Sequence, residues 1–113
     1  MENTMTDNVT RIRRLNDELR QHLIGGLAVI TPGVAALGPE AVDRIVKTIA
    51  VFDDFSHEND PHEEHDFGSF TAEGETLFFK IDYYDKSLEM HSPDPSDPIV
   101  TERVITVMLA SEY

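Results

Sequence analysis

The sequence feature that most constrains the fold is a β-hairpin centred on residues 73–74. Two segments rich in aromatic and β-branched residues flank a Glu-Gly dipeptide, which is close to the Asp-Gly pair favoured in two-residue hairpin turns. With the turn placed there, Phe70 faces Leu77 and Gly68 faces Phe79, where the glycine leaves room for the aromatic ring. The hairpin therefore predicts an antiparallel sheet with one apolar face. That core face carries Phe70, Leu77, Phe79, Ile81 and Tyr83.

The opposite face of the hairpin is mixed and includes Phe67 and Phe78. These two side chains could form an exposed binding patch or lie under another element. Aromatic residues on strands are more often core than contact surface, so we expect both to be buried.

Periodicity and turn signals predict the other elements. A first helix should run from about residue 7 to the Gly-Gly pair at 25–26, with Asp17 and Arg20 turned away from its apolar stripe. The remaining predicted elements are a strand at 27–31, a helix at 39–52, a short strand at 87–91 and a final helix from 98 to near 113. The predicted fold class is α+β, a small antiparallel sheet packed against two to three helices in the order α-β-α-β-β-β-α. We expect a disordered tail at 1–6 and a single domain at 7–113.

The charge of the chain is strongly acidic and unevenly distributed. Its 113 residues carry 22 acidic and 9 basic side chains, for a formal net charge of −13. Between Asp53 and Asp97 only Lys80 and Lys86 are basic, whereas the first 52 residues are balanced. This distribution argues against direct nucleic-acid binding, which normally requires a basic face. It favours a protein partner with a basic surface, although a charged surface also serves solubility alone.

Two further observations restrict the class of protein. The absence of cysteine excludes disulfides, thiolate metal sites and cysteine nucleophiles, and is consistent with a reducing compartment. No apolar run approaches the ~20 residues of a membrane helix, and the first residues lack the order of a secretory signal. We therefore expect a soluble cytoplasmic protein that does not bind membranes.

The candidate site is the stretch at 53–67, which holds seven acidic residues and three histidines in fifteen positions. It leaves the predicted second helix and enters the hairpin, and its Asn-Asp-Pro segment marks a turn. No catalytic residue is predicted, because no nucleophile elbow or phosphate-binding glycine loop is present. The predicted binding residues are Asp53, Asp54, Glu58, Asp60, Glu63, Glu64, Asp66, Asp82, Tyr84 and Asp85.

The three histidines, His57, His62 and His65, open a second possibility. Together with carboxylates they could bind a divalent metal such as zinc, although their spacing matches no zinc motif. The hairpin register places His65 opposite Asp82, which could orient it as a general base, hold it as a metal ligand or simply pair with it. A loop held by its own hydrogen bonds, with no cofactor, is the other interpretation.

Five further segments are distinctive: FDDF at 52–55, NDPHEEHDFG at 59–68, FKIDYYD at 79–85, SPDPSDP at 92–98 and VMLASEY at 107–113. Together they resemble a family of short, functionally uncharacterised proteins of alphaproteobacteria that are often found on plasmids and other mobile elements. The resemblance implies a cytosolic, single-domain bacterial accessory protein, and it transfers no catalytic residue.

Two functional hypotheses follow. In the first, the chain is an acidic binding protein that docks on a basic surface, such as that of a host defence nuclease, and blocks it as an anti-CRISPR or anti-restriction nucleic-acid mimic. In the second, it is a metal-dependent or acid–base enzyme that uses His57, His62, His65 and Asp82.

Overall fold

The computed structural model describes residues 4–113 of the chain, with side chains from Asn8 onward. The helices are α1 at Thr4–His22, α2 at Pro32–Ala35 and α3 at Pro39–Ala50. The strands are β1 at Leu27–Ile30, β2 at Phe67–Ala72, β3 at Glu75–Tyr84 and β4 at Glu102–Leu109, followed by a 3₁₀ turn at Ala110–Glu112. Of the predicted tail at 1–6, residues 1–3 lie outside the described residues, and 4–6 belong to α1.

The four strands form one mixed sheet in the order β1-β4-β3-β2. The β2–β3 and β3–β4 pairs are antiparallel, whereas β1 runs parallel to β4, with Leu27 opposite Val104 and Ile30 opposite Val107. The α+β class is confirmed, and the order of helices and strands broadly follows the prediction. The β1–β4 pair makes the sheet mixed rather than wholly antiparallel, because the long connection between these strands allows a parallel crossover.

The predicted hairpin register is confirmed. Phe70 pairs with Leu77 and Gly68 pairs with Phe79. A Cβ atom added at Gly68 would lie 2.2 Å from Cε2 of Phe79, so the ring occupies the space that the glycine leaves. Both turn residues have positive φ, as a tight two-residue hairpin turn requires.

The core lies between the helices and one face of the sheet. Alternate residues of the two central strands are buried on that face, as period-two patterning requires. Each large apolar side chain buried there contributes roughly 1.5–3 kcal/mol. The core residues are Leu19, Val34, Ile45, Ile49, Leu77, Phe79, Ile81, Ile105 and Val107.

The predicted final helix is wrong, because residues 102–109 form the central strand β4. In this strand Arg103, Ile105 and Val107 are buried and alternate with partly exposed residues. The apolar positions fit one face of a helix as well as an alternating strand. The segment forms a strand because it pairs with both β1 and β3. The predicted strand at 87–91 is also wrong, since this segment is a turn in which His91 alone bridges to Tyr84.

The outer face of the sheet carries a small aromatic cluster. Phe67 and Phe78 lie 5.2 Å apart between ring centroids, and Tyr113 lies 6.3 and 5.5 Å from them. Both phenylalanines are partly buried, so the burial expected for them is incomplete. Within residues 4–113, no helix combines the length and apolar character needed to cross a membrane.

Candidate interaction site

The acidic loop, which we define as residues 53–66, connects α3 to β2 and is held on the core by Phe55. The Phe55 ring stacks on the His65 imidazole, with centroids 3.9 Å apart and planes 8° from parallel. It meets Phe52 edge-on at 5.0 Å and Phe79 at 6.3 Å. One aromatic residue within a polar segment thus attaches the loop to the apolar interior.

Asp60 supports the loop backbone from inside. Its side chain is 3% exposed, and its Oδ1 accepts the backbone N–H groups of Glu64 and His65, both at 3.0 Å. Glu63 and His65 have φ values of 58° and 57°, a left-handed conformation that is uncommon for non-glycine residues and that these hydrogen bonds help to hold. Asp60 was predicted to bind a partner, and its burial makes it a structural residue instead.

His65 lies between two carboxylates, neither of which is Asp82. Its Nδ1 is 2.9 Å from Oδ1 of Asp17 on α1, and its Nε2 is 3.9 Å from Oδ2 of Asp60. The predicted pairing with Asp82 is wrong. The left-handed backbone at His65 is incompatible with a strand, so β2 begins only at Phe67 and His65 lies outside the hairpin register. Asp82 instead lies 3.1 Å from Lys80.

Arg20 joins α1 to the start of the acidic loop. Its guanidinium is 3% exposed and donates to the carbonyl oxygens of Ile49 at 3.0 Å and Phe52 at 2.9 Å, at the C-terminal end of α3. It also donates to Asp17 at 2.9 Å, and its Cζ lies 5.1 Å from the centroid of Phe55. A cation at a helix C-terminus satisfies carbonyls that have no partner within the helix.

A second buried network runs beneath the end of the loop. Arg103 is 1% exposed and donates from Nε to Oδ1 of Asn16 at 2.8 Å, and its terminal nitrogen donates to the Pro95 carbonyl. The Asn16 amide donates to the Glu64 carbonyl at 3.0 Å and to the Tyr83 hydroxyl at 2.8 Å. The fully buried Asn16 therefore joins four segments of the chain: α1, the acidic loop, β3 and β4.

The Tyr83 hydroxyl closes this network by donating to Oε1 of Glu64 at 2.8 Å. Burial raises the pKa of Tyr83 far above its ordinary value, so the phenol remains a neutral donor. Burial lowers the pKa of Arg103. Glu64, a predicted binding residue, is thus committed to an internal hydrogen bond and is only partly exposed.

Four of the predicted binding residues are exposed on the acidic loop: Asp53, Asp54, Glu58 and Glu63. His57 and His62 are also exposed; His57 lines a cavity together with His65, and His62 does not line it. Among the residues that the structure describes, no group of three or more His, Cys, Asp or Glu side chains could hold a metal ion. The loop therefore presents exposed carboxylates along its length, and two of its three histidines, His57 and His65, border one cavity.

The other predicted binding residues are Asp66, at the end of the loop, and Asp82, Tyr84 and Asp85, at the end of β3. Burial and the neighbouring Glu64 carboxylate raise the pKa of the partly buried Asp66. Asp85 accepts the Ser87 hydroxyl at 2.8 Å and the Glu89 N–H at 3.1 Å, and these hydrogen bonds lower its pKa. Asp66, Asp82, Tyr84 and His91 line a surface cavity of about 340 Å³.

Sequence reasoning missed the residues that support the site from other elements: Asn16, Asp17, Arg20 and Arg103. Asp17 and Arg20 were expected to face away from the core. A usable signal exists for Asn16, because it follows Ile12 by four positions and precedes Leu19 by three, which places a polar side chain within the apolar stripe. No comparable signal distinguishes Arg103 from an exposed arginine.

The fold and site define a two-layer α+β protein with an acidic loop anchored on buried polar side chains. The chain belongs to the DUF3768 family, described as a protein of unknown function, whose model matches residues 30–112. The expected family of unknown function is thereby confirmed, although α1 lies outside the matched region. No curated protein and no solved structure matches the chain.

Proposed function

We propose that the protein is a binding protein that uses the acidic loop to occupy a basic surface of another protein. The observation that carries the proposal is an anchored backbone that presents four exposed carboxylates, those of Asp53, Asp54, Glu58 and Glu63. Because the loop is already held in one conformation, binding requires little additional ordering, and this preserves affinity.

The distribution of basic residues supports the same proposal. The acidic loop contains no Lys or Arg. Two of the nine basic side chains, Arg20 and Arg103, are buried. Four others lie 2.6–3.4 Å from carboxylates: Arg44, Lys47, Lys80 and Lys86. The last three, Arg11, Arg13 and Arg14, lie on α1, and Arg13 donates to the Glu63 carbonyl at 3.1 Å. Even with this cation at its border, the loop presents four exposed carboxylates and carries a net negative charge.

The proposed partner is a nucleic-acid-binding protein. A groove that binds phosphates carries Lys and Arg side chains, and carboxylates held at its surface can replace those phosphates. The resemblance to proteins carried on mobile elements makes a host defence nuclease, either a restriction or a CRISPR effector, the partner to test first. Complementary charge would speed association and make binding sensitive to salt.

The test uses two triple charge reversals that change the net charge equally. The loop variant carries Asp53→Lys, Asp54→Lys and Glu58→Lys. The control carries Glu40→Lys, Asp43→Lys and Glu75→Lys, at exposed positions outside both the loop and the cavity at the end of β3. Wild-type protein and both variants serve as baits for host proteins at low and high salt. Each captured effector is then purified and tested for loss of nucleic-acid binding.

We expect the control to displace nucleic acid like the wild type, and the loop variant to bind at least about 30-fold more weakly. Loss of a single hot-spot side chain already costs about 2 kcal/mol. Equal weakening by both variants would show that net charge alone matters, and undiminished binding by the loop variant would overturn the proposal. Glu64 and Asp66 are unsuitable for reversal, because both are partly buried and Glu64 supports the fold.

A second candidate function, acid–base catalysis, is favoured by the 2.9 Å contact between Asp17 and His65. A carboxylate on Nδ1 orients an imidazole for proton transfer, and His65 borders a cavity of about 160 Å³ lined also by Arg13, His57 and Glu63. Stoichiometry separates the two functions, since a blocking protein must act at equimolar amounts, whereas an enzyme inactivates its target substoichiometrically. Retention of inhibition by His65→Gln would count against catalysis.

A further inference from the structure

Strand β1 has the character of an unoccupied protein interface. It is an edge strand of the sheet, and all four of its residues are exposed. Its side chains are nevertheless apolar, with Leu27 44%, Val29 46% and Ile30 38% exposed. Soluble proteins usually protect an edge strand with a lysine, a proline or a bulge, and β1 contains neither residue. An exposed apolar edge of this kind marks a surface that pairs with another strand.

The apolar surface continues from the strand into a cavity. Leu23 and Ile24, which connect α1 to β1, are 52% and 57% exposed. Beside the inner face of β1 lies a cavity of about 270 Å³, which α1 and α3 leave open at the sheet edge. Its walls are aliphatic apart from Arg20: Leu23, Ala28, Val29, Ile30, Val46, Ile49, Ile105 and Val107.

Charge identifies the occupant of this edge. No Asp, Glu, Lys or Arg occurs between Arg20 and Glu40, which is the longest uncharged stretch of a chain with a net charge of −13. Two copies of so acidic a protein repel each other over most of their surface, and this repulsion is weaker across a strand that carries no charge than across the acidic loop. A basic partner would gain no ion pair from the stretch and would be attracted to the acidic loop instead.

We infer that β1 is the interface of a homodimer, in which the β1 strands of two copies pair antiparallel across a twofold axis. An edge strand can always pair with itself in this way, because the interface is isologous and needs no second sequence. The register of β1 on β4 places Ala28 and Ile30 on the core side, beside Ile105 and Val107. Pairing therefore brings Ala28 and Ile30 of both copies together on one face of a sheet that runs through the dimer, next to both cavities.

The test is the solution mass of the full chain over a range of protein concentrations, measured by sedimentation velocity. Val29→Lys places a charge on the proposed interface, and Val51→Lys makes the same change at a valine that is 78% exposed at the end of α3. We expect wild type and Val51→Lys to double in mass as concentration rises, and Val29→Lys to stay monomeric with an unchanged circular dichroism spectrum. A wild type that is monomeric throughout, or a Val29→Lys protein that dimerises normally, would overturn the inference.

A cross-linking experiment keeps the inference testable if Val29→Lys fails to fold. The chain contains no cysteine, so Val29→Cys and Val51→Cys each introduce a single thiol. Mild oxidation should link two copies of the Val29→Cys protein through a disulfide and leave the Val51→Cys protein largely monomeric. Equal cross-linking of both proteins would place the contact elsewhere. Added salt should strengthen this dimer, because it screens the repulsion between acidic copies.

Discussion

The acidic loop and the β1 edge are both exposed, but they are supported in opposite ways. Beneath the loop lie buried polar side chains, of which Asp60 is 3% exposed, Asn16 0% and Arg103 1%. Beneath β1 lie aliphatic side chains, including Ile105 and Val107. The loop is therefore charged outside and rests on buried polar side chains as well as on Phe55, whereas the edge is apolar outside and aliphatic inside apart from Arg20.

This difference indicates how each region can bind. A buried polar network admits one arrangement, because any other leaves donors and acceptors unpaired at a cost of about 1–3 kcal/mol each. The loop conformation is therefore strictly specified. The β1 edge has no such buried polar network, and its unpaired backbone groups and aliphatic cavity are open to a further strand.

The largest effect should come from Arg103→Met, which removes the centre of the polar network. Asn16 and the Pro95 carbonyl would lose their buried donor, at about 1–3 kcal/mol each, so we expect the free energy of unfolding to fall by about 2–6 kcal/mol. Urea denaturation would measure this change. The control is Arg44→Met, whose solvent-screened pair with Glu73 should contribute little to stability. Similar small losses for both variants would show that the network does not stabilise the fold.

A smaller, more local effect is expected from Asp60→Ala. The N–H groups of Glu64 and His65 would lose their acceptor, and we expect a loss of about 1–3 kcal/mol. Amide hydrogen exchange should accelerate within the acidic loop and remain unchanged at β1. Partner binding should weaken even though every exposed carboxylate is retained. Asp54→Ala is the control for stability, and unchanged exchange in the loop of Asp60→Ala would contradict the anchoring role.

Asp66→Asn should stabilise the protein slightly at neutral pH. Because burial and Glu64 raise the pKa of Asp66 in the folded state, its contribution is favourable at low pH and is lost as pH rises through that pKa. The asparagine side chain removes the partly buried charge, so the melting temperature of the variant should exceed that of the wild type at pH 7. The difference should vanish below about pH 4, where the aspartic acid is protonated. A lower melting temperature at pH 7 would show that the carboxylate is stabilising.

The smallest effect, with the opposite sign, is expected beside β1 for Glu112→Gln. The Glu112 carboxylate accepts the Thr31 hydroxyl at 2.6 Å and the N–H groups of Gly33 at 3.0 Å and Leu109 at 2.9 Å. These hydrogen bonds lower its pKa, so its contribution is present at neutral pH and is lost as pH falls through the folded-state pKa. Thermal unfolding should show a modestly lower melting temperature at pH 7 and no difference in acid. A difference that persists in acid would mean that the carboxylate charge is not responsible.

The sequence predicted the elements whose signals are local. The turn at 73–74 and the alternation around it identified the pairing of Gly68 with Phe79, because both depend on residues close in the chain. The two longer helices, α1 and α3, were also predicted from the periodicity of their own apolar residues. Residues 102–109 were misassigned, because the same apolar positions suit a helix or a strand and only distant partners distinguish them.

The same limit applied to the candidate site. Exposure of Asp53, Asp54 and Glu58 was predictable, since polar loop residues usually meet solvent. The roles of Asp60 and His65 were not, because they depend on α1 passing beneath the loop and supplying Asp17, 48 positions away from His65 in sequence.

The sequence by itself determined the acidic charge, the hairpin register, the uncharged stretch around β1 and the family. The tertiary structure alone decided that β4 is a central strand, that Arg103 and Asp60 are buried and that β1 remains exposed at an edge. Turn chemistry and side-chain alternation act between neighbours in the chain and can be read from it. Burial depends on which distant element lies opposite, and only the assembled fold determines that.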